Sequence, residues 1–352
     1  MPKVEIVDRV RARRVVTLAI SLFVGSHAAT AAAQSSSSYN QAEWAKTVAA
    51  AHKEGKVTYY TALTPLVSNR LVDGFRKAYP KIVVEHIRHQ TGALLSKLEQ
   101  ERAGGFDGAD IAMSTDMVWA TARAKEGALL RPSGPASSTW PGKYFREGTN
   151  GTVVIGALEP IVIVYNTAQV ANPPKGYADM LRAEFKGRIA TTVLASTVVV
   201  AWYDWLEKTQ GKDYLLKLRA LDPKLSQGST TLSQSVAAGE FAIGTQSTTS
   251  ATKPLMDQGA PINFVVPNPG LGFGYSIIVP AWGKRPNAGL VFADYLMSRE
   301  GQAIWHGRGD TASPLEGIPG SLRASEITPL NPDLYPPEVV NKYNEYWNKI
   351  FK

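Results

Sequence analysis

The sequence predicts an α/β fold of two lobes built on largely parallel sheets. Three observations predict it. Between Lys56 and Asp116, a β-forming run followed by a helical pattern occurs three times in succession. Such alternation implies parallel strands joined by right-handed crossovers. A second series of strands and helices begins at Ile189, and 352 residues are ample for two lobes with cores of their own.

The elements follow in order. Residues 44–54 read as a helix with Trp44, Val48 and Ala51 on one face. Residues 56–61 (KVTYYT) form a strand rich in β-formers, and 66–79 an amphipathic helix with Leu71, Phe75 and Tyr79 four apart. Residues 82–87 make a second strand, after which Thr91-Gly92 opens a helix carrying Leu94, Leu95 and Leu98. A third strand spans 109–113, and Ser114-Thr115-Asp116 leads into the next helix. Strands over 153–155 and 161–165 flank Glu159-Pro160, read as the first crossing between lobes. Then come a strand at 189–192, helices over 196–209, 214–220 and 229–238, and strands at 241–244 and 262–266. The run GLGFG (270–274) is read as a flexible joint and the return crossing, before a strand at 275–279 and helices at 286–297 and 336–351.

The first residues have another purpose. Lys3, Arg9, Arg11, Arg13 and Arg14 precede an apolar run (15–25) and an Ala-rich stretch ending at Ala33. That order is expected to be a cleavable secretory signal, cut near Gln34, because the apolar run is too short to span a bilayer. The signal carries five cations and two acids, so the chain's formal charge of +8 falls to near +5 without it. The remaining cations are scattered, whereas nucleic-acid binding wants a concentrated basic face. With no cysteine, disulfides and thiol-linked lipid are excluded.

Catalytic and metal signatures are missing from the motifs. His52, His86, His89 and His306 show no HExxH spacing, no GxSxG elbow occurs, and GLGFG neither completes a dinucleotide fingerprint nor opens a helix. No cofactor and no metal are expected. Hydroxyls do gather at predicted strand ends and helix starts, where ligands of open α/β sheets sit. The candidate binding residues are Thr61, Ala62, Thr91, Gly92, Ser114, Thr115, Thr192, Ser196, Thr197, Ser229, Thr230 and Thr245, with Asp116 and Glu159 for a cationic group and Phe273 and Tyr275 as walls. Helix N-termini hold anions through unpaired N–H groups and the positive dipole end. Each Ser or Thr taken singly is equally an ordinary N-cap. Trp119, Trp202 and Tyr203 are further wall candidates, although large aromatics more often pack in cores.

Taken together, VTYYTAL, FRKAYPKIVVEHI, TGALLSKLEQE, ADIAMSTD, PIVIVYN, SVAAGEFAIG and NAGLVFADYLMSREGQAIW resemble the family 1 extracellular solute-binding proteins, the branch with ferric-ion, polyamine, thiamine and aminophosphonate receptors. The resemblance implies a two-lobe periplasmic binding protein fold of type II, with two crossover strands and a central ligand cleft. It implies a soluble periplasmic receptor that captures a small polar or anionic solute (a carboxylate, phosphate ester or aminophosphonate), closes its lobes and meets an ABC permease as a monomer. The expected divisions are a signal (1–33), a leader and first helix (34–54), lobe 1 (55–157 and 275–325), lobe 2 (158–274) and a helical tail (326–352). One departure bears on iron. Where ferric receptors carry adjacent tyrosines, this chain has Thr245-Gln246-Ser247-Thr248-Thr249-Ser250, and neutral hydroxyls suit ferric iron poorly. The alternatives are a ferric receptor of the same family, a binding subunit for a membrane sensor, or a periplasmic enzyme.

Overall fold

The computed structural model describes residues 39–268 and 270–352; the expected signal and its cleavage site lie outside them. Helix α1 (Gln41–Glu54) starts where Asn40 Oδ1 accepts from the N–H groups of Ala42 and Glu43. It ends on Gly55 in the left-handed region, which glycine tolerates. The three predicted strand–helix units follow: β1 (Lys56–Thr61) and α2 (Pro65–Ala78), β2 (Val83–Arg88) and α3 (Thr91–Gly104), β3 (Ile111–Ser114) and α4 (Met117–Lys125). Strand β1 lies between β2 and β3, parallel to both. Leu71 and Phe75 of α2 and Leu94 and Leu98 of α3 are fully buried beneath it, as their spacing predicts.

Short elements β4 (Leu129–Leu130) and α5 (Pro135–Ser138) lead to β5 (Val153–Asn166), the longest strand. Its first half, to Pro160, runs antiparallel to β10 (Leu271–Pro280); its second half pairs with β8 (Ile243–Thr248) and β9 (Ile262–Val265). One strand thus serves both lobes, where the sequence suggested two broken at Glu159-Pro160. Pro160 stands where the pairing partner changes, the place at which a missing N–H disturbs a ladder least.

The second lobe is built from β6 (Ile189–Thr192), α6 (Thr197–Gln210), α7 (Tyr214–Ala220), β7 (Lys224–Ser226), α8 (Ser229–Ala237), β8, α9 (Thr249–Asp257) and β9. Strand β6 is parallel to β7 and β8. The whole order is β2-β1-β3-β10-β5-β8-β6-β7. The sheet is therefore mixed: parallel where a helix crosses over, antiparallel at β5 and β10, which pass between lobes with no helix of their own.

Residues 271–274 are not a flexible joint. They belong to β10, with Gly272 opposite Pro160 and Phe273 opposite Glu159. A β-carbon on Gly272 would collide with the Ile327 side chain and the Glu159 carbonyl, so this glycine serves close packing. The chain then returns to the first lobe through α10 (Pro286–Met297), α11 (Arg299–His306), β11 (Ala312–Ser313), β12 (Leu322–Arg323) and β13 (Thr328–Pro329). Helix α12 (Pro337–Phe351) closes on the second lobe, its Trp347 and Phe351 rings 5.8 and 6.1 Å from that of Tyr203 on α6. Among the described residues no helix is long and apolar enough to cross a membrane.

Candidate ligand site

The carboxyl ends of β1, β2 and β3 in one lobe face those of β6, β7 and β8 in the other. Between them lies a cavity of about 90 Å³, in the position that open α/β sheets reserve for ligands. The first lobe contributes Ala62, Thr64, Arg88, Gln90, Thr91 and Thr115. The second contributes Thr192, Val193, Ala195, Ser196, Val198, Val199, Gly228, Ser229, Thr230, Gln246 and Thr248, and β10 adds Phe273 and Tyr275. Among these residues Arg88 carries the only formal charge.

Five helices begin at this cavity. The N-cap residues of α2, α3, α6, α8 and α9 are Thr64, Gln90, Ser196, Gly228 and Thr248, and all five line it. None of the five makes a side-chain capping bond. Elsewhere Asn40, Asp116 and Ser298 fold back onto the first turns of α1, α4 and α11, while Asp213 of α7 does not. Hydroxyls serving only as caps would fold back as those three do. At the cavity no N-cap side chain occupies the first-turn N–H groups, although in α9 the Ser250 N–H is taken by Glu159 Oε1 from behind the wall. The Thr64 hydroxyl is buried with no partner among the described residues.

Of the residues expected from sequence, Ala62, Thr91, Thr115, Thr192, Ser196, Ser229, Thr230, Phe273 and Tyr275 are on the wall. Thr91 and Thr115 hydroxyls meet at 2.9 Å. Asp116 and Thr197 line an adjoining hollow of about 30 Å³, which shares Thr115, Val198 and Phe273 with the cavity. There Thr197 Oγ1 donates to Asp116 Oδ2 at 3.4 Å, one lobe to the other, while Asp116 Oδ1 caps α4 by accepting from Trp119 N at 2.9 Å. Gly92 sits at the lip, where a β-carbon would be 3.7 Å from the Ala195 carbonyl.

Four expected residues are not brought to the wall. Thr61 Oγ1 accepts from Leu63 N at 3.0 Å, and Ser114 Oγ from Asp116 N at 3.1 Å; both are fully buried and shape the turns beneath the cavity. Thr245 lies within β8 and donates to Thr191 Oγ1 at 2.7 Å. Glu159 lies behind the wall on the crossing strand, accepting from Ser250 N and from the Tyr275 hydroxyl, each at 2.9 Å. Burial pushes its carboxyl pKa upward against those hydrogen bonds, and burial with the adjacent Glu159 holds the Tyr275 phenol well above its usual range. Glu159 thus orients Tyr275 and does not face a ligand. Trp202 and Tyr203 are core, and Trp119 Nε1 donates to Glu99 at 2.7 Å.

Thr64 and Arg88 line the cavity without having been expected there, and Gln90, Gln246 and Thr248 join them from a strand end and from the hydroxyl row at 245–250. Arg88 ends β2, opposite Thr61 in the parallel register, and its Nε donates to the Leu63 carbonyl at 3.3 Å. An arginine at a strand's carboxyl end, one residue before His89, was the signal available for it. Gln246 Oε1 accepts from Thr192 Oγ1 at 2.8 Å, which points the amide across β6. Among the described residues no three His, Cys, Asp or Glu side chains are grouped to hold a metal ion.

A family model described as bacterial extracellular solute-binding protein matches residues 70–320. No curated protein matches the chain. Among solved structures, the substrate-binding protein of an ABC transporter from Agrobacterium tumefaciens superposes with a TM-score of 0.76 at 22% identity, covering 86% of this chain and 96% of that one. AfuA from Actinobacillus pleuropneumoniae, with fructose-6-phosphate bound, gives 0.69 at 16% identity over 85% and 99%. Iron-bound HitA from Pseudomonas aeruginosa gives 0.64 at 15% over 84% and 99%. At these identities the likeness is one of fold, and the fold is the two-lobe periplasmic binding protein type.

Proposed function

The chain belongs to the bacterial extracellular solute-binding family, whose model covers most of it, and from that premise we infer that the protein is the receptor of an ABC-type importer. In this reading it binds a small anionic solute between its lobes and presents the closed form to a membrane permease. The observation that carries the reading is the meeting of five helix N-termini, none closed by its own cap, in the cleft. Such termini hold anions. Because both lobes contribute to the wall, a bound solute favours the arrangement in which they meet. The lobe limits belong to this reading: 55–157 with 275–325, and 158–274. So do the helical tail at 326–352, a monomeric state, and export to the periplasm with cleavage near Gln34. Among the described residues no histidine lines the cavity to act as base, and the site is read as one for binding.

Small-angle X-ray scattering tests the closing step. Protein freed of the solute that accompanies it through native purification is expected to show a larger radius of gyration than protein with it restored. An unchanged radius at saturation contradicts closure.

Two serines separate binding from capping. Ser196→Ala is expected to weaken solute binding about ten- to a hundredfold, because a hydrogen bond to a charged group is worth about 1.5–3 kcal/mol and a decade about 1.4. Its melting temperature should hardly move, since Ser196 caps nothing. Ser114→Ala should do the reverse, losing about 1–3 kcal/mol of stability as Asp116 N–H loses its buried acceptor, with affinity kept. Calorimetric affinity and a melting curve on each variant decide the matter. A loss of affinity in Ser114→Ala matching that in Ser196→Ala would place the ligand elsewhere.

A further inference from the structure

The cavity's charge and donor arrangement identify more than an anion. Resting on the receptor reading above, we propose that the solute presents a tetrahedral, doubly charged oxyanion head to this cavity, the head of a phosphate monoester or a phosphonate.

The charge balance comes first. Arg88 supplies one full positive charge, and each helix N-terminus acts as roughly half a charge. Glu159 accepts the Ser250 N–H and so offsets the α9 terminus from behind the wall, Asp116 lies in the adjoining hollow, and no carboxylate lines the wall to offset Arg88 and the other four termini. A single carboxylate leaves much of that positive field uncompensated, and a dianion compensates more of it. An ammonium group in the same cavity would face Arg88 with no acid to hold it.

The second argument is directional. Donors stand on opposed walls: Thr64 and Arg88 on the first lobe, Ser196, Ser229 and Thr248 on the second. A carboxylate offers two oxygens in one plane. A phosphoryl group offers three terminal oxygens that diverge, so it can accept from both lobes at once. The third observation stands apart from the helix ends. Thr64 is 9% exposed, lines the cavity, and its Oγ1 has no partner among the described residues. A buried hydroxyl left unpaired is unfavourable, and an acceptor oxygen in the cavity removes that penalty. The organic remainder of the solute then runs past Phe273 into the smaller hollow, where Met117, Val198, Ala201 and Leu330 are apolar and Asp116 is the one acid.

Calorimetry and thermal shift with defined probes test this. At pH 7.5, glycerol 3-phosphate and sulfate, both tetrahedral dianions, and methylphosphonate, tetrahedral and close to its second ionisation, are expected to bind at least about a hundredfold more tightly than acetate or malonate. Malonate, whose two carboxylates are each planar, is the control of equal charge. Glycerol 3-phosphate affinity is expected to fall as pH drops from 7 to 5, by up to about tenfold per unit below its second ionisation near pH 6. Sulfate affinity, with no proton to gain in that range, should change less. That contrast separates a phosphoryl source from sulfate, and sulfate outbinding both phosphorus probes overturns the phosphoryl assignment. Thr64→Val is expected to weaken the tetrahedral probes about tenfold or more while leaving the melting temperature of the empty protein unchanged or higher. Acetate or malonate binding as tightly as methylphosphonate overturns the proposal, as does no binding of any tetrahedral probe at 10 mM, about a hundred times weaker than the mid-micromolar range typical of substrate sites. If a carboxylate shrinks the radius of gyration and no tetrahedral ion does, the head group is wrong and the receptor reading stands. If neither these probes nor the natively retained solute changes the radius, the receptor reading fails as well.

Discussion

Arg88→Met is expected to lower solute affinity about a hundred- to a thousandfold and to leave the melting temperature near that of the parent protein. The side chain is half-buried at the end of β2, on the cavity wall, and its one hydrogen bond within the protein runs from Nε to the Leu63 carbonyl. That bond leaves both terminal nitrogens for a ligand. Structural arginines in this chain look different: Arg285 is held by Asp107 and Asp110, and Arg123 by Glu99 and Glu126. Two hydrogen bonds to an anion, at about 1.5–3 kcal/mol each and not fully additive, give about 3–4 kcal/mol, or two to three decades. Methionine keeps the length of the stem and its packing. Arg88→Lys should fall between the two, because it keeps the charge and loses the planar fork. Calorimetry on the three proteins measures the order; equal affinity in Arg88→Met removes the guanidinium from the site.

What could be read from the chain and what could not divide along physical lines. Helix starts were legible because a β-forming run followed by Ser, Thr or Gly marks a strand's exit and a helix's entry. Thr91, Thr115, Ser196, Ser229 and Thr230 therefore fell on the cavity wall. Facing was less legible. Strand β8 is covered on both sides, every residue from Ile243 to Thr248 being buried, so no alternation distinguishes Thr245, which turns inward to Thr191, from Gln246 and Thr248, which reach the cavity. Arg88 stands at a strand end, where polar residues are common, and its place in one cavity with Ser196 and Ser229 depends on how the strands fold together. The glycines of 270–274 were read for freedom, and the structure uses Gly272 for contact with the neighbouring strand and Ile327. The family resemblance held, the match over 70–320 spanning most of the quoted segments. It carried the two-lobe architecture but no ligand.

Asp294→Asn is expected to stabilise the protein at neutral pH by up to about 3 kcal/mol, with the gain fading to nothing by about pH 4. Asp294 lies on α10, 4% exposed, and its Oδ1 accepts from the N–H groups of Ala136 and Ser137 at the start of α5, at 3.0 and 2.9 Å. Burial raises its pKa from 3.8 to about 6, and the two backbone hydrogen bonds only partly oppose that. No cation compensates it; the nearby Tyr79 phenol is pushed up by burial and, to a lesser degree, by Asp294 itself. The folded carboxyl therefore holds its proton more tightly than the unfolded one. Between about pH 4 and pH 6 the native state binds more protons than the unfolded state, so stability falls as pH rises through that window and is level outside it. Two pKa units at about 1.4 kcal/mol each set the size. Asparagine retains an acceptor for Ala136 and Ser137 and cannot ionise, so its stability should lack this slope. The check is the urea midpoint of both proteins at pH 4, 5, 6, 7 and 8: the two are expected to agree at the acid end and to separate between pH 4 and 6, with the variant higher. A constant difference at every pH would show that Asp294 ionises normally in the fold, with water reaching it beside α5. Solute affinity should be the same in both proteins at every pH, because Asp294 is not part of the cavity wall.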